Sequence, residues 1–197
     1  MTPEEIKEAR QINFKQTNAF AMQNGLILGI FAIIAQACFV MGLKTPFFST
    51  IWLVMLINIP IFAFFLTAKF RREVAPNFPF SFSRGFTHTL LIVLYAGIWA
   101  GIATYIYLAF FDKGYIFDAY QASLSAPETA KAIADSGMEA QIKEMTGGLT
   151  LTQLIDEMRK VGPGHYAASI IYCYLLSSPI FAIIGGLFNI RRAKRNY

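Results

Sequence analysis

The chain has 197 residues, 55% of them hydrophobic and only 15% charged, with a net charge of +5. A soluble domain typically carries roughly a quarter charged residues, so an ordinary soluble fold is excluded and an integral membrane protein with room for one domain is left. The basic residues sit at the ends of apolar runs and not on a free face, which excludes nucleic acid as a partner and leaves the lipid bilayer as the surroundings.

The opening TPEEIKEAR has the grammar of a helix start. Thr2 can cap, Pro3 suits the first helical position and Glu5 completes a capping box, so residues 3–18 are expected to form a short helix running into a first span. A transmembrane helix needs about 20 predominantly apolar residues. Uncharged runs of that size occur at 16–43, 45–68, 85–111 and 164–190, and they predict spans at 19–43, 47–69, 85–111 and 165–190. The first run exceeds the apolar region of about 7–15 residues found in a cleaved signal peptide, so the first span is read as retained.

Charge between the spans alternates. Lys7, Arg10 and Lys15 precede the first span, and Lys44 stands alone in the first loop. Lys69, Arg71, Arg72 and Arg84 gather around the second loop, and Arg191, Arg192, Lys194 and Arg195 follow the last span. The segment 112–164 holds five Lys/Arg against eight Asp/Glu. By the positive-inside rule both termini and the 70–84 loop face the cytoplasm, and 112–164 faces the opposite side.

Pro76 and Pro79 stop the second helix, and Phe78, Phe80 and Phe82 mark the return into the interface. In the long loop, Ser125 to Glu128 reads as a capping box, DSG at 135–137 weakens or splits the helix it opens, and GG at 147–148 ends that helix. TLTQ at 150–153 opens another, with Leu151, Leu154, Ile155 and Met158 on one face. GPG at 162–164 breaks the chain before the last span. These amphipathic helices are expected to lie on the membrane surface, to cap the bundle, or to form a lid over a ligand.

The spans carry no Asp, Glu, Lys or Arg between their basic flanks, which argues against a carboxylate proton relay and a voltage sensor. Their polar residues are few. Gln36, Asn58, Ser177 and Ser178 would have to line one path in a transporter. Pro60 and Pro179 each remove a backbone donor and are hinge candidates, with Asn58 placed to bond the freed carbonyl or another helix. His88, one turn past Arg84, is expected to bond a neighbour or water, and His165 has no second ligand nearby. Cys38 and Cys173 read as small apolar fillers. No motif supports a catalytic residue, a metal site or a cofactor. Gly25 with Gly29, Gly97 with Gly101, and Ser178 with Ala182 and Gly186 recur at four-residue spacing, which lets helix backbones approach closely.

The third span and its flanks, FPFSFSRGFTHTLLIVLYAGIWAGIATYIYLAFFDKGYI at 78–116, resemble the DUF4199 family of bacterial membrane proteins, found mainly in Bacteroidetes. So does the order of parts: four spans, a long third loop with amphipathic helices, and a basic tail. The chain departs from many members at Asp112, which is followed by Lys113 and not by Pro. The resemblance implies the inner membrane of a Gram-negative cell and no particular activity.

The expected fold is an all-α four-helix transmembrane bundle, one domain over 1–197, with helices in a long loop at 112–164 on the periplasmic side. Three function classes are open to such a chain. The first is a non-enzymatic accessory or scaffold subunit that contacts a membrane protein partner or forms a homo-oligomer. The second is an oligomeric transporter or channel. The third is a membrane-embedded enzyme or lipid-handling protein, in which an enzyme would need His88 or His165 to meet a carboxylate.

Overall fold

A computed structural model describes residues 2–76 and 78–191, and among them the chain is all α-helix. Four helices are long and apolar enough to cross a membrane. α1 spans Pro3–Gly42 and α2 spans Pro46–Val74. α3 spans Phe82–Ile106 and continues as a π-helical turn over Tyr107–Phe111. α8 spans Pro163–Asn189. Between the π turn and α8 come four short helices: α4 at Tyr115–Leu124, α5 at Pro127–Ser136, α6 at Met138–Met145 and α7 at Leu151–Lys160.

The N-terminal expectation holds. Glu5 N–H donates to Thr2 Oγ1 and the Thr2 N–H donates back to Glu5 Oε2 at 2.7 Å, and the helix runs unbroken into the first span. The long segment differs from its sequence reading in two ways, at Ser125 and at α4. Ser125 does not cap α5; its hydroxyl donates to the Gln121 carbonyl and closes α4 instead. The split read at DSG 135–137 does occur, at Gly137, whose left-handed φ of 67° ends α5 and starts α6. α4 was not foreseen. It is held by Asp112, whose carboxylate accepts the Gly114 and Ile116 N–H groups at 3.0 and 3.1 Å. TLTQ opens α7 as read, through a capping box of Thr150 and Gln153, and Gly162 with Pro163 starts α8.

α3 is the middle of the bundle. It packs along its length against α8 and α1, while α2 rests chiefly on α1. The core joins Leu28, Ile59, Ala63, Leu66, Ile92 and Ala96 from three helices. The glycine spacing serves this packing within the chain. A Cβ at Gly25 would stand 2.5 Å from Tyr95 Cβ, one at Gly29 would meet Trp99 Cβ at 2.8 Å, and one at Gly101 would meet Ile171 at 2.6 Å. Large apolar side chains such as Ile57, Phe65, Leu176 and Phe188 remain exposed on the outside, as lipid-facing positions require.

The two ends of the bundle are built differently. At the terminal end the 75–81 connection is tied to the end of α8. Phe80 and Arg191 exchange both backbone hydrogen bonds, at 2.9 and 3.0 Å, and Phe70, Ala75 and Phe80 form a small buried cluster there. At the distal end lie the 43–45 turn and the α4–α7 layer.

Gly25→Ala is expected to push α1 and α3 apart and to lower stability by about 1–3 kcal/mol, the usual cost of overpacking. Gly164→Ala, where no atom lies within 4 Å of the added Cβ, serves as the control. Thermal unfolding in detergent reads the difference, and equal midpoints would contradict this packing.

Candidate functional site

The distal end contains a cavity of about 770 Å³. Ile33, Gln36 and Val40 of α1, Thr104 and Tyr107 of α3 and its π turn, and Tyr166 and Ser169 of α8 form its walls. α2 lines none of it, so spans enclose it on three sides only. Phe117 and Tyr120 of α4 and Ile155 and Met158 of α7 form the roof.

Local sequence explains each wall. In the π turn the Asp112 N–H bonds the Tyr107 carbonyl five residues back, at 2.9 Å, so that Tyr107 and Leu108 face the cavity. π turns of this kind recur at functional sites. α7 presents the apolar face read from its sequence, with Ile155 buried. α4 packs on α7 and is clamped to it. Arg159 Nη2 donates to Asp118 Oδ1 at 2.7 Å, and Gln121 Nε2 donates to Asp156 Oδ1 at 2.8 Å. The roof joins α8 through Tyr166, whose hydroxyl donates to the Met158 carbonyl at 2.6 Å.

The polar groups of the cavity are few and mostly occupied. Thr104 donates to the Ala100 carbonyl and Ser169 to the His165 carbonyl, each within its own helix. Gln36 reaches across to α3 with a long 3.4 Å bond from Nε2 to the Ala100 carbonyl, which leaves its amide oxygen for other partners. A volume of this size falls in the range of about 300–1,000 Å³ typical of small-molecule sites, which are mostly apolar with a few placed polar groups.

A second polar feature lies toward the terminal end. His88 is fully buried. Its Nε2 pairs with Asn24 Nδ2 at 3.2 Å and its Nδ1 with Thr67 Oγ1 at 3.1 Å. Thr67 also bonds Thr89 at 2.8 Å. Phe70 stacks on the imidazole at 4.0 Å between centroids, and the Arg84 guanidinium lies 5.5 Å from the Phe70 centroid and bonds Gln16. His88 therefore bonds neighbouring side chains, as its sequence reading had it, and both ring partners are neutral. This cluster joins α1, α2 and α3.

The other residues singled out in the sequence are dispersed. Asn58 bonds Val54 O of its own helix at 2.7 Å, neither the Leu56 carbonyl that Pro60 frees nor another helix. Pro179 frees the Leu175 carbonyl, and Ser178 Oγ supplies the missing donor at 2.8 Å, while Ser177 bonds Tyr174 O. Gln36, Asn58, Ser177 and Ser178 do not converge on one path within the chain. His165 is exposed near the start of α8. Among the described residues neither histidine forms an ion pair with a carboxylate. Of the basic residues, Lys69 pairs with Glu73, Arg71 donates to the Asn189 carbonyl, Arg72 is exposed, and Arg191 donates to the Ala75 and Pro76 carbonyls. Arg192, Lys194 and Arg195 lie outside the described residues.

The family model described as a protein of unknown function, DUF4199, matches residues 23–191. The chain belongs to the DUF4199 family. The DUF4199 match takes in the walls and roof of the cavity and the Asn24–His88 pair, and it leaves out the charged first half of α1. No curated protein and no solved structure matches the chain.

His88→Phe keeps the ring on Phe70 but strands the Asn24 amide and leaves Thr67 with Thr89 alone, and is expected to cost about 1–3 kcal/mol. Thr67→Val strands the other side of the same bond. Unfolding of the two single variants and the double variant should give a coupling of about 0.6 kcal/mol, typical of a hydrogen bond in a membrane protein. Strict additivity would show that the bond contributes nothing.

Proposed function

We propose that this protein binds an elongated apolar ligand of the acyl-lipid class in the cavity beneath α4 and α7, and that it catalyses no reaction. The observation that carries this reading is the cavity itself. It is large, almost wholly apolar, roofed by two clamped helices, and bounded by spans on three sides. A tail would slide in from the bilayer between α1 and α8, where α2 provides no wall. Gln36 offers one polar contact in the depth of the cavity. The lid expectation for α7 fits this arrangement, with α4 as its partner. The dispersed positions of Gln36, Asn58, Ser177 and Ser178 give a transport path through one chain no support.

The proposed setting is the inner membrane of a bacterium, with both termini inside and 112–164 outside. Its support is the gathering of Lys69, Arg71, Arg72, Arg84 and Arg191 at the terminal end. The accessory-subunit reading retains one observation in its favour. α5 and α6 pack chiefly on each other and on their roof neighbours, with Met138 and Met145 exposed, which leaves them free to meet a membrane protein partner.

Ala37→Trp and Ala103→Trp fill the cavity from two different walls. Native mass spectrometry of the purified protein should find co-purified lipid on the original chain, and at least roughly fivefold less on each variant, a loss of about 1 kcal/mol of binding. Unfolding midpoints near that of the original chain would show both variants folded. Equal lipid on all three proteins would refute the proposal.

A further inference from the structure

The mouth of the cavity narrows the ligand further, provided that an acyl lipid is what the cavity holds. We infer that this lipid carries a negatively charged headgroup, and that Lys44 is the residue that selects it. Lys44 follows α1 by two residues, and Met41, three residues before it, lines the cavity. Its ammonium stands 4.7 Å from the centroid of the Tyr115 ring. Ile116 and Phe117, the next residues of α4, line the roof. The charge therefore sits at the seam between wall and roof, where the apolar run of α1 ends. A tail lodged in the cavity sets its headgroup at that level.

The charges nearest the roof are engaged, and exposed Lys113, which among the described residues is also without an ion pair, lines no part of the cavity. Asp118 holds Arg159, Glu157 holds Lys160 at 2.5 Å, and Asp156 accepts from Gln121. The Asp112 carboxylate is spent on two backbone N–H groups. Among the described residues Lys44 forms no ion pair. Its contact with Tyr115 is of the exposed cation–π kind, which is weak and leaves the three ammonium donors free. The acidic surplus of the 112–164 segment does not oppose it, because Glu128, Asp135, Glu139 and Glu144 lie on α5 and α6, which line no part of the cavity. Lysine is a compact point charge on a flexible stem and suits a phosphate that arrives with a mobile lipid.

The test uses the full chain purified in a neutral detergent. It is offered phosphatidylglycerol or phosphatidylcholine with identical acyl chains, and bound lipid is counted by native mass spectrometry. The original chain should prefer the anionic lipid by roughly fivefold, the scale of one screened ion pair. Lys44→Gln should bring the two lipids within about twofold while Lys44→Arg keeps the preference, as expected for a charge contact. A lysine that merely reaches for the bilayer surface would leave the preference untouched in Lys44→Gln. That outcome, or equal binding of both lipids by the original chain, overturns the inference. The cavity reading would still stand if Ala103→Trp and Ala37→Trp lose both lipids. If those two variants keep both lipids, the cavity reading falls and this inference falls with it.

Discussion

A bilayer offers no hydrogen bonds, so each polar group carried into it must be satisfied inside the protein. The arrangement of the bundle is a consequence of that constraint. His88 is carried into the third span, and both of its ring nitrogens are met, one by Asn24 of α1 and the other by Thr67 of α2. Three helices are thereby fixed in register by one imidazole. The same constraint operates inside single helices. Pro179 would leave the Leu175 carbonyl without a donor, and Ser178 supplies one. Thr89 and Thr104 return their hydroxyls to carbonyls four residues back.

Once the polar groups hold the register, residue size decides where the bundle is tight and where it is open. Gly25 and Gly29 of α1 lie against Tyr95 and Trp99, and Gly185 and Gly186 of α8 lie against Thr89 and Phe82. The close approach of α3 and α8 extends to Gly101 beside Ala167. Near and past that level Thr104 and Tyr107 of α3 and its π turn, and Tyr166 and Ser169 of α8, line an open space. The cavity begins there. The terminal end is closed by the Phe70, Ala75 and Phe80 cluster. The distal end is closed only by α4 and α7, which hold each other through Arg159 and Gln121 more than they hold the spans.

Much of this was legible in the sequence. Four uncharged runs marked the four spans, the capping box at Thr2 forms as read, and the helix start at Thr150 falls where it was read. The cavity was not legible, because its walls come from residues more than a hundred positions apart and its few polar groups are scattered over three spans and the roof. α4 was missed although Ile116, Phe117, Tyr120 and Leu124 share a helical face. Its start lies in Asp112, Lys113 and Gly114, where Asp112 caps through its side chain and Lys113 adopts a left-handed φ of 47°. Ser125 looked like a helix start and proved to close the helix before it, since a serine hydroxyl serves either end. Asn24 and His88 were each visible as polar residues in spans, but a pairing 64 residues apart emerges only from the register of the helices.

The length of α1 has a mechanical consequence. Pro3 to Gly42 form one helix without an internal proline, so the charged tail and the distal wall belong to one continuous rod. At 1.5 Å per residue the rod measures roughly 60 Å, of which about half precedes the region shared with the family. Lys7 and Arg10 stand at one end of it, and Gln36 and Val40 at the other. The charged tail and the cavity wall are thus two ends of a single element.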